Sequence, residues 1–98
     1  MNKLFTLFLL SCCQILFAQT IISGKIKDKD TKELLIGANV VIKGTSIGTA
    51  TNLDGFFQIN TLDKLPITLI ISYLGYREKD LIIQSNKKNR IIFLSSDH

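Results

Sequence analysis

"GTSIGTATNLDGFFQI", Gly44 to Ile59, sets three glycines and an Asn52-Leu53-Asp54-Gly55 tetrad ahead of the adjacent Phe56 and Phe57. Such a stretch can bind a phosphate, hold a metal or turn a chain, and the residues at its end decide between them. A phosphate loop leads into a helix whose first amides face the anion, and a Walker motif closes on Gly-Lys-Ser/Thr. Here Phe56, Phe57 and Ile59 begin a strand instead. An EF-hand loop alternates acidic or amide ligands and ends on a glutamate, whereas Asn52 and Asp54 supply two such side chains and no closing acid. The stretch therefore reads as two reversals around a short strand. Gly44-Thr45-Ser46 turns the chain, Gly48 to Thr51 runs along a sheet edge, and Asn52 to Gly55 turns it back. Asn52 and Asp54 are expected to bond to nearby backbone, with Gly55 in the left-handed region that a Cβ penalises.

Working outward, the same two-residue period recurs. Ile22, Gly24 and Ile26 alternate with Ser23, Lys25 and Lys27, and Ala38, Val40 and Ile42 alternate with Asn39, Val41 and Lys43. Further β-rich runs are Phe56 to Ile59, Thr68 to Tyr73, Lys79 to Ile83 and Arg90 to Leu94. Turn chemistry separates them: aspartates in Asp28-Lys29-Asp30-Thr31-Lys32 can cap backbone amides, and Leu74-Gly75 reads as a two-residue hairpin connection. Ser85-Asn86-Lys87-Lys88-Asn89 reads as the turn of a final hairpin. No helical period competes after residue 20, so the fold class is all-β, with about seven strands in a small two-sheet sandwich joined by Greek-key-like connections.

The beginning of the chain has a different character. Lys3 supplies a positive start, Leu4 to Leu10 an apolar run relieved only by Thr6, and Leu16-Phe17-Ala18-Gln19 a small residue at a cleavage point. Residues 1–18 are expected to be a signal peptide cut after Ala18 or Gln19. Two alternatives stay open, a lipoprotein signal at Leu9-Leu10-Ser11-Cys12 and an uncleaved anchor, and all three send the domain out of the cytoplasm. Cys12 and Cys13 are the chain's two cysteines, so cleavage would leave a mature domain without a disulfide. Loss of Lys3 lowers the net charge from +4 to +3, too mild and too scattered to argue for nucleic acid.

Catalysis finds few groups to use. The one histidine is His98, the last residue of this sequence, and Ser72, Ser85, Ser95 and Ser96 have neither a Gly-x-Ser-x-Gly context nor an internal histidine. Metal ligation falls to carboxylates, where Asp28 and Asp30 make a turn more readily than a site. No catalytic residue, cofactor or metal is therefore expected. Tyr73 and Tyr76, on either side of Leu74-Gly75, are the candidate contact residues for a ligand or partner. Their blander role is to pack across a hairpin with hydroxyls in water, and Arg77-Glu78-Lys79-Asp80 reads as a solvated mixed-charge stretch.

Taken in order, Ile22-Ser23-Gly24-Lys25-Ile26, Asp28, Leu35-Ile36-Gly37-Ala38-Asn39-Val40, Lys43-Gly44-Thr45, Gly48-Thr49, Thr51-Asn52, Asp54-Gly55-Phe56-Phe57 and Ser72-Tyr73-Leu74-Gly75-Tyr76 form a specific combination. It resembles the carboxypeptidase-regulatory-like domain, across about residues 20–94. The resemblance implies a transthyretin-like β-sandwich of seven strands. It is nearest to the N-terminal extension of SusC-like TonB-dependent outer-membrane receptors, in which a TonB box, plug and barrel come next. Residues 95–98 form a tail, and the sequence stops before any plug or barrel, as a truncated receptor or a free-standing domain would. The resemblance implies an exported, non-enzymatic interaction or regulatory domain of the periplasm or outer membrane. Its partner would be a protein of the cell envelope, such as a receptor plug or barrel, and the mature domain would not span the membrane. The alternative is a free-standing accessory carbohydrate-binding module using Tyr73, Tyr76 and the Gly44–Gly55 loop to hold an oligosaccharide.

Overall fold

The computed structural model describes residues 19–97; the expected leader, Cys12, Cys13 and His98 lie outside them. Seven strands run in chain order: β1 Thr20–Asp28, β2 Asn39–Ile42, β3 Gly48–Ala50, β4 Phe56–Thr61, β5 Ile67–Ser72, β6 Lys79–Ile83 and β7 Arg90–Leu94. They form two sheets, ordered β4-β1-β7 and β3-β2-β5-β6, and the described residues contain no helix. The fold is the all-β, seven-stranded sandwich that the alternation dictates.

The core is what that alternation buries. Ile22 and Ile26 of β1, Phe57 and Ile59 of β4 and Ile92 and Leu94 of β7 face Val40 and Ile42 of β2, Leu69 and Ile71 of β5 and Ile83 of β6. Their outward neighbours Lys25, Gln58 and Asn60 stand in solvent, as a sheet with one buried face requires. Gly24 keeps the inward parity of β1 for a different reason. A Cβ there would meet the Arg90 carbonyl oxygen at 2.5 Å, so the absence of a side chain lets β7 lie against β1.

The connections depart from the expected hairpins in two places. β7 pairs with β1, in parallel, with Gly24 opposite Arg90 and Asp28 opposite Leu94, and not with β6. Ser85–Asn89 is therefore a passage from one sheet to the other, with Asn89 left-handed at φ 60°, rather than the turn of a hairpin. The physical reason is that β1 needs a second neighbour to pair its inner edge, and a parallel partner must arrive by a crossover. At Leu74-Gly75 the chain makes a β-turn, closed by the Tyr76 amide on the Tyr73 carbonyl at 3.0 Å with Gly75 at φ 88°. The β5–β6 ladder ends at Ile71 opposite Lys79, however, so residues 73–78 form a longer excursion that leaves the sheet.

Candidate interaction surface

The quoted stretch is two turns about a short edge strand. β3 pairs with β2, Asn39 opposite Ala50, and Gly55 sits at φ 68°. Asn52 Oδ1 accepts the amides of Asp54 at 2.9 Å and Phe56 at 3.1 Å, so one amide side chain holds the whole second turn. Among side chains Asn52 carries this role alone; Asp54, expected to share it, bonds to no nearby backbone with its side chain, and the Phe56 amide two residues on is already held by Asn52. Thr45 does the same work in the first turn, donating to the Ile42 carbonyl and accepting from the Ile47 amide. The side chains of Thr45 and Asn52 are thus engaged with the loop's own backbone.

Thr51, between those turns, acts at longer range. It is buried, its Oγ1 donates to the Leu35 carbonyl at 2.6 Å and accepts the Ala38 amide at 2.9 Å, and its backbone bonds Gly37 and Ala38. The Leu35–Ala38 segment is thereby fastened to β3. Nothing in the local sequence singles Thr51 out from Thr45 or Thr49.

The C-terminal end of β1, next to the Asn52–Gly55 turn, gathers three segments. Asp28 closes β1 on the inward parity, where a carboxylate needs partners. Its Oδ1 accepts the amides of Asp30 at 2.7 Å and Thr31 at 2.9 Å, and its Oδ2 accepts the Tyr76 hydroxyl at 2.6 Å. The Tyr76 bond, then the Thr31 and Asp30 amides, hold the Asp28 carboxyl below its usual 3.8. The same bond to Asp28, with burial and the carboxylate's charge as the next causes, pushes the Tyr76 phenol up to about 12. Tyr76 also leaves the β5–β6 hairpin with its backbone, bridging Ser96, while Arg77 donates to the Ser95 carbonyl and Asp97 to that of Gly75.

Tyr73 and Tyr76, the candidate contact residues, come together here. Their ring centroids are 5.5 Å apart at 57°, and both pack in part against the core. The hydroxyl of Tyr76 is spent on Asp28 rather than on water. Beside them lies a groove of about 490 Å³ that sequence reasoning did not anticipate, because it is assembled from the turn after β1, the 73–78 excursion with the first residue of β6, and the end of β7 with Ser95. Lys29, Lys32, Arg77 and Lys79 line it with Glu78 and Phe93. The Lys32 ammonium stands 4.7 Å from the centre of the Phe93 ring, and Lys79 Nζ donates to the Phe93 carbonyl at 3.2 Å. Among the described residues no group of three or more His, Cys, Asp or Glu side chains is placed to hold a metal.

The fold and these turns define a small, two-sheet, seven-stranded β-sandwich. The profile of the CarboxypepD_reg-like domain matches residues 22–98, and the chain belongs to that family. Among its relatives is the TonB-dependent receptor SusC of Bacteroides thetaiotaomicron, 46% identical over 66 residues, which are 66% of this chain and 6% of the receptor. The TonB-dependent receptor P26 of Formosa agariphila is 37% identical over 75 residues, 76% of this chain and 7% of the receptor. The chain thus spans less than a tenth of the curated relatives it matches. In three dimensions it is similar to a chain of a type II cohesin–X-dockerin complex from Acetivibrio cellulolyticus, with TM-score 0.64 and 20% identity over 79% of this chain and 58% of that one, a likeness of fold.

Proposed function

We propose that this domain is a non-enzymatic interaction module of the cell envelope, serving as the N-terminal periplasmic extension of a TonB-dependent receptor or as a truncated or free-standing form of one. The observation that carries the reading is family membership shared with TonB-dependent receptors. The side chains support it in a second way. Asp28, Asn52, Thr51 and Tyr76 are each occupied in fastening backbone or one another, which suits a rigid contact surface better than a site that must bind and release a proton. The partner is proposed to be an envelope protein meeting the end of the sandwich that carries Tyr73 and Tyr76.

The reading is tested by expressing the full chain with a C-terminal tag in its source bacterium and crosslinking whole cells. Residues 1–18 should direct export, and the tagged product should fractionate with the envelope and crosslink to an envelope protein. Retention in the cytoplasm would overturn it. An oligosaccharide array, run with the same protein, should stay blank; binding that disappears in Tyr76→Ala with the circular dichroism spectrum preserved would establish the carbohydrate-binding reading instead.

A further inference from the structure

The groove beside Tyr76 is lined by Lys29, Lys32, Arg77, Glu78 and Lys79 and borders a strand with one open edge. We propose that it takes an extended acidic segment of a protein partner, which adds its backbone to β7; the proposal rests on the interaction-module reading and names the chemistry of the partner. β7 is bonded on one side only, to β1, and among the described residues no strand covers its other edge from Arg90 to Leu94. Beyond Leu94 the edge is closed by the Tyr76–Ser96 bridge. The Phe93 carbonyl points out of the sheet edge and accepts a lysine ammonium where a strand would supply an amide. Such an edge is a template for an added strand.

Charge decides which strand. Four cations, Lys29, Lys32, Arg77 and Lys79, line the groove against one carboxylate, Glu78. Asp97 stands 3.8 Å from Arg77, but both side chains are about two-thirds exposed, so a partner's carboxylate can replace it. Lysines at a sheet edge ordinarily deter pairing between copies, and here they would set like charge against like if β7 met another β7. The same lysines favour an acidic strand, and two sets of them flank its path. Lys32 stands over the outward-facing ring of Phe93, whereas Lys79 comes from the opposite sheet. Side chains of an added strand alternate between those two sides, so consecutive acidic residues in the partner would each meet a cation. A nucleic acid would find the cations but could not use the strand edge.

The test uses the full chain and a fluorescent seven-residue peptide of Asp, Glu and Thr, with anisotropy as the readout. The acidic peptide should bind, more weakly as salt is raised. Its Lys-substituted counterpart should not bind. The double variant Lys32→Glu/Arg77→Glu, folded by circular dichroism, should weaken binding by about tenfold or more. N-methylation of alternate peptide amides, which preserves every charge, should abolish binding if the backbone pairs. Equal binding by the N-methylated peptide, equal binding by an oligothymidylate, or no effect of charge reversal would each overturn the proposal. Failure of the peptide to bind while the envelope crosslink persists would remove this groove and leave the interaction module standing; loss of both would remove the module.

Discussion

The Asn52–Gly55 turn and the Asp28–Tyr76 clasp both hold a loop through side-chain hydrogen bonds, and they do so over different distances along the chain. Asn52 reaches amides two and four residues ahead, whereas Tyr76 reaches a carboxylate 48 residues behind it. A local turn closes at little entropic expense and can form before the sheets meet. A clasp across the chain exists only when the sandwich is assembled, since bringing its ends together must first be offset by core burial. The first is therefore a property of a segment and the second a property of the fold.

That division breaks first at Gly55. A Cβ there would lie 2.9 Å from Leu34 Cδ2 and 3.0 Å from its Cβ, with φ at 68°, and the Gly55 carbonyl accepts the Ile26 amide at 3.0 Å, so the turn is local in its side-chain hydrogen bonds but not in its packing. Gly55→Val should destabilise by about 3 kcal/mol, combining left-handed strain with crowding against Leu34. Urea unfolding measures it, and a loss below about 1 kcal/mol would mean that Leu34 yields and the turn stands alone.

Thr51 lies between the two cases, tying residues 13 and 16 positions away. Thr51→Val keeps the shape of the side chain while leaving the Ala38 amide without its hydroxyl acceptor and the Leu35 carbonyl without its donor. The expected loss is about 2 kcal/mol, read from the same urea curves. A neutral result would show that water reaches Leu35 and Ala38, and that burial at this clasp is incomplete.

Legibility in the sequence divides along the same line. Period-two runs and the Gly55 turn were legible because their causes lie within a few residues, and the strand-borne core from Ile22 to Leu94 follows from parity, whereas Leu35 is buried outside any strand. The parallel pairing of β7 with β1 was not, since Arg90–Leu94 has the same pattern whichever edge it joins. Asp28 gave a partial signal: a carboxylate on the buried parity of β1 demands a partner, but nothing local says that it is Tyr76. Tyr73 and Tyr76 were singled out for their exposed faces in a hairpin that the fold replaces with an excursion toward Ser96. The basic groove was invisible because Lys29, Lys32, Arg77 and Lys79 belong to segments far apart in the chain.

The clasp should show itself at the extremes of pH, with a smaller effect at neutrality than Thr51→Val because Tyr76 is only half buried. Asp28 has a carboxyl pKa depressed by folding, so its contribution is whole above the ordinary 3.8 and is lost as pH falls through the lower folded value. Tyr76 is raised from 10.0 to about 12, so its contribution is whole below 10 and is lost as pH climbs toward 12. With two tyrosines in the chain, ultraviolet titration of the phenolates should show one ionisation displaced to about 12. Asp28→Asn should bring it back toward 10, and Tyr76→Phe should remove it. Superimposed titrations of wild type and Asp28→Asn would break the clasp.

The smallest effect belongs to Leu53, inside the local turn. It is 83% exposed, between Asn52, which holds the turn, and Asp54, whose amide is held. Because the turn rests on the Asn52 carboxamide and the Gly55 backbone, the identity of the side chain at 53 should hardly matter, and Leu53→Ala should change stability by less than about 0.5 kcal/mol. Calcium should leave the melting temperature of wild type and variant alike, since a cation bound to Asn52 and Asp54 would stabilise the folded state by mass action. The contrast with Gly55→Val, two positions away, is what sharpens the distinction: the turn tolerates change where its side chain meets water and fails where its backbone meets Leu34. A loss above about 1 kcal/mol at Leu53 would require that residue to contact something in solution, and would make even this turn a property of the fold.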